Sequence, residues 1–329
     1  MTTGTPFAPA PFATSYVSPT VASAFRRSSY ITPSEYRFTP TAVSTRQLVV
    51  KSANPQVDSV ASLAVLIEQA SAWADLIAFH RSDGSFAASV TTEMDWVKVK
   101  PDGSLALICN FKPVLEVTGL ALGPQPAQVS NADASTAQNL WVQGKVINIP
   151  AAWASSPIPA YSYPSGPNGG VYAVWTYVNG YANTLLAQNA VQGATSITLQ
   201  PSVPGGSSLS GIYTGTQLEI YDGSNKETVV AASTPTGTTV TLTAGLQYPH
   251  NVPVAPDGIR VSAIPPPISR ATVHLTSVLV KTRGTRAMQM AGAAGGSPGK
   301  QAIAEAGAEN DFEYACKLLK RYETVYLHS

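Results

Sequence analysis

Helical periodicity in this chain is confined to its two ends, and the long stretch between them is written at period two. Residues 56–79, QVDSVASLAVLIEQASAWADLIAF, carry Val60, Leu63, Ile67, Ala70, Ala74 and Ile77 at three- and four-residue steps, with Leu66 and Trp73 widening the stripe. Pro55 and Asp58 mark the start, and Asp83-Gly84 follows the end. Near the other terminus, ISRATVHLTSVLVKTRG (268–284) places Ile268, Ala271, Leu275, Val278 and Leu279 on one face, with Gly284 as its stop. The last helix, NDFEYACKLLKRYETVYL, is capped by Asn310 or Asp311 and striped by Phe312, Ala315, Leu319, Tyr322 and Tyr326. A short helix is expected at Thr32-Pro33-Ser34-Glu35, where Thr32 caps, Pro33 suits the first turn and Glu35 stands three residues on.

Between these helices the residues alternate. A strand over 86–99 is expected to turn at Pro101-Asp102-Gly103 and return over Ser104–Cys109. Val114–Leu122 and Leu140–Ile149 read as further strands, with a Pro/Ser/Gly/Tyr loop over 150–169. Val171–Val178 and Tyr181–Ala187 flank Asn179-Gly180, the pair that most strongly signals a hairpin because both turn positions need positive φ. Ser196–Leu199, Gln217–Tyr221, Glu227–Ala231 and Thr239–Leu242 then form a small Thr/Val-rich sheet or barrel. ATSITL and GTTVTL within it are weakly self-similar.

Segregated helices and strands predict an α+β fold: a small helical bundle built from both chain ends, with a long inserted antiparallel β segment. The corresponding divisions are an extended arm over 1–30, too poor in apolar residues to fold alone, and a first part of the helical core with a hairpin over 31–115. An inserted β region follows over 116–262, with its small module at 194–262. The second part of the helical core covers 263–329.

Composition narrows the function classes. Charged residues make up 12% of the chain against about 25% in an average soluble domain, although 44% is hydrophobic. A coat this thin predicts a surface covered by other copies or partners. The formal net charge is +1, so no global attraction to nucleic acid is expected. Residues 117–259 carry two basic and five acidic groups, and residues 260–329 carry nine and five. The opening residues contain no secretion signal, and no apolar stretch is expected to reach the roughly 20 residues of a membrane span. The product is expected to be cytoplasmic when made.

Residues able to carry chemistry are sparse. Cys109 on a strand and Cys316 on a helix read as free thiols. His80, His250, His274 and His328 lack metal-ligand spacing, so neither metal nor cofactor is expected. Gly205-Gly206-Ser207 and Gly295-Gly296-Ser297 lack the lysine and context of a phosphate loop, and the four Asp-Gly pairs lack alternating calcium ligands. Trp141, Trp153, Trp175, Tyr161, Tyr163, Tyr172, Tyr177 and Tyr181 crowd the middle, as core and interface or as a sugar platform. Arg270, Lys281, Arg283, Arg286 and Lys300 flank the Gly-rich loop 291–299. They suit either a DNA channel, where phosphate contact needs only positive charge, or a solvated helix end.

Four stretches resemble the head-to-tail adaptor family of long-tailed phages, especially those of actinobacteria. They are Tyr30-Ile31-Thr32-Pro33-Ser34-Glu35-Tyr36 with ASAWADLIAFH (70–80), FKPVLEVTGLALGP (111–124), and ISRATVHLTSVLVKTRG with its Gly-rich loop and closing helix. The likeness spans roughly half the chain, and the long β segment departs from the family's compact helical core. It implies a ring of copies, usually twelve, in the virion neck, with the portal on one face and the stopper or tail-completion protein on the other. It further implies a genome passage lined by Arg270, Lys281, Arg283, Arg286 and Lys300, a portal-docking helix presenting Phe312, Leu319, Tyr322 and Tyr326, and no enzyme activity. Rival expectations are a tail-completion or tail-tube subunit, and a carbohydrate- or receptor-binding virion protein.

Overall fold

In the computed structural model, residues 29–40, 42–45, 55–80, 84–131, 140–150, 170–202, 206–253, 257–282 and 308–323 are described. The central strand is β7 (Gly170–Asn179), flanked by β1 (Ser89–Lys98) and β3 (Val114–Gly123). β4 (Ser130–Asn131) completes an antiparallel sheet of order β1-β7-β3-β4. Alternation along β7 sends Val171, Ala173, Trp175 and Tyr177 into the core. In β3 the apolar residues Val117 and Leu120 are three apart, which strict alternation would put on opposite faces. The register shifts between Val117 and Gly119, and this irregularity sets Val117 opposite Tyr177 and Leu120 opposite Trp175.

The expected hairpin of residues 86–109 does not form. Its turn is present, with Lys100 N donating to Ser104 O at 2.9 Å and Asp102 accepting from Ser104 N at 2.9 Å. Beyond it the chain changes sheet: β1 pairs with β7, whereas β2 (Leu105–Ile108) pairs with β6 (Val146–Ile149). Leu140–Ile149 is likewise two strands, β5 (Trp141–Gln143) and β6, joined at Gly144. The inward residues Leu105, Leu107, Ile147 and Ile149 join the same core as the inner face of β7.

Four α-helices are described: α1 (Pro33–Phe38), α2 (Pro55–Phe79), α3 (Pro266–Lys281) and α4 (Glu309–Leu319). α1 starts in the expected capping box, Thr32 accepting from Glu35 N while Glu35 accepts from Thr32 N. α2 matches the expected helix to within one residue, but it carries an apolar stretch longer than expected. Val60–Phe79 meets the length and composition of a membrane span. It is nevertheless packed against this protein's own core through Leu63, Ile67, Ala70, Trp73, Ala74 and Phe79. It also carries a fully buried Asp75, which accepts from Tyr30 Oη and from Phe86 N at 3.0 Å. α3 ends at Lys281 with Thr282 as cap, and Gly284 lies outside the described residues.

Helices from both ends of the chain do meet, as Tyr36 Oη lies 3.1 Å from Ser277 Oγ and Trp73 stacks on Phe312. They do not form a separate bundle. The described residues hold thirteen strands to four α-helices, and a single hydrophobic cluster takes in the helices, the four-stranded sheet and the β2-β6-β5 sheet. The architecture is mixed α+β and predominantly antiparallel β.

A second cluster defines the small β unit, built from Leu186, Ile197, Leu218, Ile220, Val240 and Val261 among others. Its sheet runs β11-β10-β13-β8, from β8 (Asn183–Leu185), β10 (Gln217–Tyr221), β11 (Lys226–Val230) and β13 (Arg260–Ser262). The self-similar segments pair with each other as β9 (Ser196–Thr198) and β12 (Thr239–Thr241). The Asp222-Gly223 turn joins β10 to β11 as expected. Asn179-Gly180 does not close a hairpin, because β7 and β8 belong to different sheets. Gly180 has φ +91°, and a Cβ there would meet Ala87 O at 2.7 Å, so it marks a tight crossing between the two units.

The units are tied by ions. Arg260, 3% exposed, donates from Nε and Nη2 to Glu35 at 2.7–3.0 Å and from Nη2 to Glu219 at 3.1 Å. Burial lowers the Arg260 pKa, and the two carboxylates outweigh it and raise it. Replacing Glu35 by Ala leaves this cation buried beside Glu219 alone, which is expected to cost about 3–5 kcal/mol. The double variant Glu35→Ala/Arg260→Met should recover most of that loss. Urea denaturation of the parent, both single variants and the double variant checks it, and strict additivity of the two changes would contradict the pairing.

Candidate functional site

The stripe expected to dock on a portal is used inside the chain. Leu319 and Ala315 are fully buried, Phe312 stacks on Trp73 at 5.2 Å, and Tyr322 meets Phe86 edge-on at 5.6 Å. These side chains pack on the protein's own core: Leu319 is wholly buried in it, whereas Phe312 and Tyr322 keep part of their surface exposed. Tyr326 lies outside the described residues. The sequence showed an amphipathic helix, but a stripe does not say whether its partner is the same chain or another. Neither Asn310 nor Asp311 caps α4, which begins at Glu309 behind Ala308. Asp311 instead reaches α3, lying 2.8 Å from His274 Nδ1 and accepting from Lys281 Nζ at 2.9 Å.

The basic cluster is partly accounted for by those contacts. Lys281 is paired with Asp311. Arg270 is exposed, with its guanidinium 6.0 Å from the Tyr314 ring. Eleven residues of helix separate them by roughly 16 Å. Arg283, Arg286, Lys300 and the Gly-rich loop lie outside the described residues.

One polar site was invisible in the sequence. His250 is completely buried in the β unit, with Nδ1 2.8 Å from Asp222 and Nε2 2.7 Å from Glu227. Glu227 also accepts from Gln247 N at 2.8 Å, and Asp222 from Asn225 N at 2.6 Å. With a carboxylate on each ring nitrogen, the imidazole has no nitrogen left to bind a metal or take a substrate proton. The trio pins residues 247–250 to the β10–β11 hairpin. No spacing rule links positions 222, 227 and 250, because the hairpin and a loop 20 residues on must first be brought together. Among the described residues, no cluster of His, Cys, Asp and Glu is arranged to hold a metal ion. Both cysteines are free, and burial, then Glu93, pushes the Cys109 thiol up to about 12.

Two kinds of surface stand open among the described residues. The outer face of β1 exposes Val90 (62%) and Met94 (55%), and the β2-β6-β5 sheet exposes Ile108 (58%) and Trp141 (51%). Of the aromatic group, Trp175 and Tyr177 are core, Tyr172 packs edge-on against Trp96, and Trp153, Tyr161 and Tyr163 lie outside the described residues. The other surface is a cleft of about 240 Å³ where the end of α2, the residues before β3 and the turn after α4 converge. Phe79, Phe86, Tyr181 and Tyr322 line it, with Lys112 and Arg321 among its polar walls. Burial, then the neighbouring Tyr322, raises the Tyr181 phenol; burial also raises Tyr322, against a smaller opposing pull from Arg321. Both phenols therefore stay protonated at neutral pH.

Comparison of this chain with protein-family models, with curated proteins and with solved structures finds no match.

Two outcomes follow from this geometry. Truncating Phe312 to Ala removes the ring that covers Trp73 and is expected to cost about 3 kcal/mol, read as a lowered urea midpoint. Burial raises the Asp222 pKa, but N–H groups of Asn225 and Ser224 and the His250 ring outweigh it, so its carboxyl sits below the ordinary range. Its stabilisation is therefore complete above the unfolded value of about 3.9 and is lost as pH falls through the lower folded value. Asp222→Asn should lower stability at pH 7 and flatten the decline in stability below about pH 4. Parallel slopes for variant and parent over that interval would contradict it.

Proposed function

We propose that this chain is a structural, non-enzymatic subunit of a tailed-phage particle: a head-to-tail adaptor whose copies close into a ring in the virion neck, between the portal and the stopper or tail-completion protein. The observation that carries the reading is an exterior that is short of charge and supplied with large apolar side chains. Only 12% of residues are charged, yet Val90, Met94, Ile108 and Trp141 stand more than half exposed on two sheets. Such groups are ordinary singly, but grouped on strand faces they mark surfaces that neighbours cover. The resemblance of residues 30–36, 70–80, 111–124 and 268–284 to the adaptor family supports the same assignment.

A ring needs a heterologous contact that closes on itself. In this proposal the outer faces of β1 and of the β2-β6-β5 sheet supply that contact, leaving α4 to hold the subunit together. In this proposal non-specific contact with DNA in the lumen falls to Arg283, Arg286 and Lys300 and to the exposed Arg270. The proposal includes no membrane partner and no cofactor.

Native mass measurement of the purified protein, alone and with portal protein, tests the reading. A closed oligomer or a stable portal complex is expected. The double variant Val90→Lys/Met94→Lys should reduce either assembly at least about tenfold while keeping the parent's urea midpoint, since two charges would be buried without partners. A parent chain that stays monomeric at high concentration and ignores the portal overturns the assignment.

A further inference from the structure

We propose that the cleft beside Tyr322 is a binding site for an acidic peptide segment that inserts one aromatic side chain. The site is independent of whether the chain forms a ring. Its volume of about 240 Å³ suits one ring and lies below the roughly 300–1,000 Å³ of pockets for drug-sized ligands. Tyr181 and Tyr322 offer partly exposed rings whose protonated hydroxyls donate, and the buried Phe79 and Phe86 lie beneath them as the floor of the cleft. Offset and edge-on packing against several rings favours an aromatic occupant over an aliphatic one.

Charge selects what accompanies that ring. Lys112 and Arg321 are the charged residues of the lining, and both are cations. Among the described residues neither is paired with a carboxylate. Glu323, the acid nearest Arg321 in the sequence, is turned to His80, 2.7 Å from its Nε2. Lys112 is half-buried and Arg321 exposed, and two cations without a described carboxylate on one aromatic cleft favour an anionic partner. Carboxylates flanking an aromatic residue place one negative charge near each cation. A nucleic acid would also bring anions, but a cleft this small admits one ring without a track for a phosphate backbone.

The test uses the full chain labelled with ¹⁵N and the peptide acetyl-Glu-Phe-Glu-amide, with the Gly144 and Tyr322 amides as reporters. Saturable shifts at both are expected. Acetyl-Gln-Phe-Gln-amide and the variant Lys112→Gln/Arg321→Gln should each bind about tenfold more weakly, in keeping with the loss of two solvent-exposed ion pairs. Acetyl-Glu-Ala-Glu-amide should produce no saturation. The peptide series on the parent protein decides the matter even if the double variant is impaired in folding. Equal binding of the alanine peptide, or indifference to both sets of charges, overturns the proposal. So does tighter binding of oligothymidylate at the same amides, or peptide binding that appears only once residues 324–329 are removed, which would give the cleft to this chain's own segment.

Discussion

The carboxylate of Glu35 does two jobs that the rest of the fold relies on. One oxygen accepts from Thr32 N at 2.7 Å and closes the first turn of α1. The same group receives Arg260 from 225 positions away, through Nε and Nη2. Burying two ions costs several kcal/mol each before their attraction is counted, so this pair is a poor device for raw stability. Its value lies in register. Arg260 begins β13, the strand between β10 and β8; Glu219 of the same sheet pairs with it, and Glu35 joins them only when α1 lies against that sheet. Ser34 N and Oγ both donate to Asp257, which holds the same contact, and Gly223 lies against the Phe38 ring. A six-residue helix that could not persist alone thereby sets how the β unit sits on the larger core.

What could be read from the sequence was local. Capping at Thr32 to Glu35, the stripe of residues 60–77 and the Asp222-Gly223 hairpin depend on neighbours within a few positions, and each stands in the structure. Pairing between strands was not legible. Asp102-Gly103 and Asn179-Gly180 have the chemistry of hairpin turns, yet both carry the chain from one sheet to another. Turn chemistry fixes the direction change and leaves open which strand wins the competition for the edge. β7 is ten residues long and pairs along both of its edges, so β1 pairs with it across ten residues and not with the four-residue β2. Local polarity likewise could not reveal that α4 faces inward, that Asp311 serves α3, or that His250 lies between two carboxylates.

Charge pairing also explains why the exterior is so bare. Glu35, Arg260, Glu219 and Lys226 form one chain of contacts, Lys281, Asp311 and His274 a second, and Asp222, His250 and Glu227 a third. Several of these groups are buried. A sequence already low in charge thus spends part of its supply on internal joints. What remains for solvation is thinner than the 12% composition implies.

That shortage bears most heavily on β1. An edge strand is ordinarily guarded against further pairing by charged side chains, proline or a bulge. β1 pairs with β7 along its full length in unbroken register, and it contains no proline. Of its three charged residues, Glu93 is taken by Tyr177 Oη and by Asn110 N at 3.0 Å. Asp95 and Lys98 guard only the end near the Asp102-Gly103 turn. From Ser89 to Met94 the outer face presents Val90, Thr92 and Met94, with no solvated charge to oppose an incoming chain. A monomer selected to remain alone would gain from a lysine at Val90 or Thr92 at little cost in stability, because both positions are exposed. Their apolar and neutral character is what a strand requires if it is to be covered by another subunit.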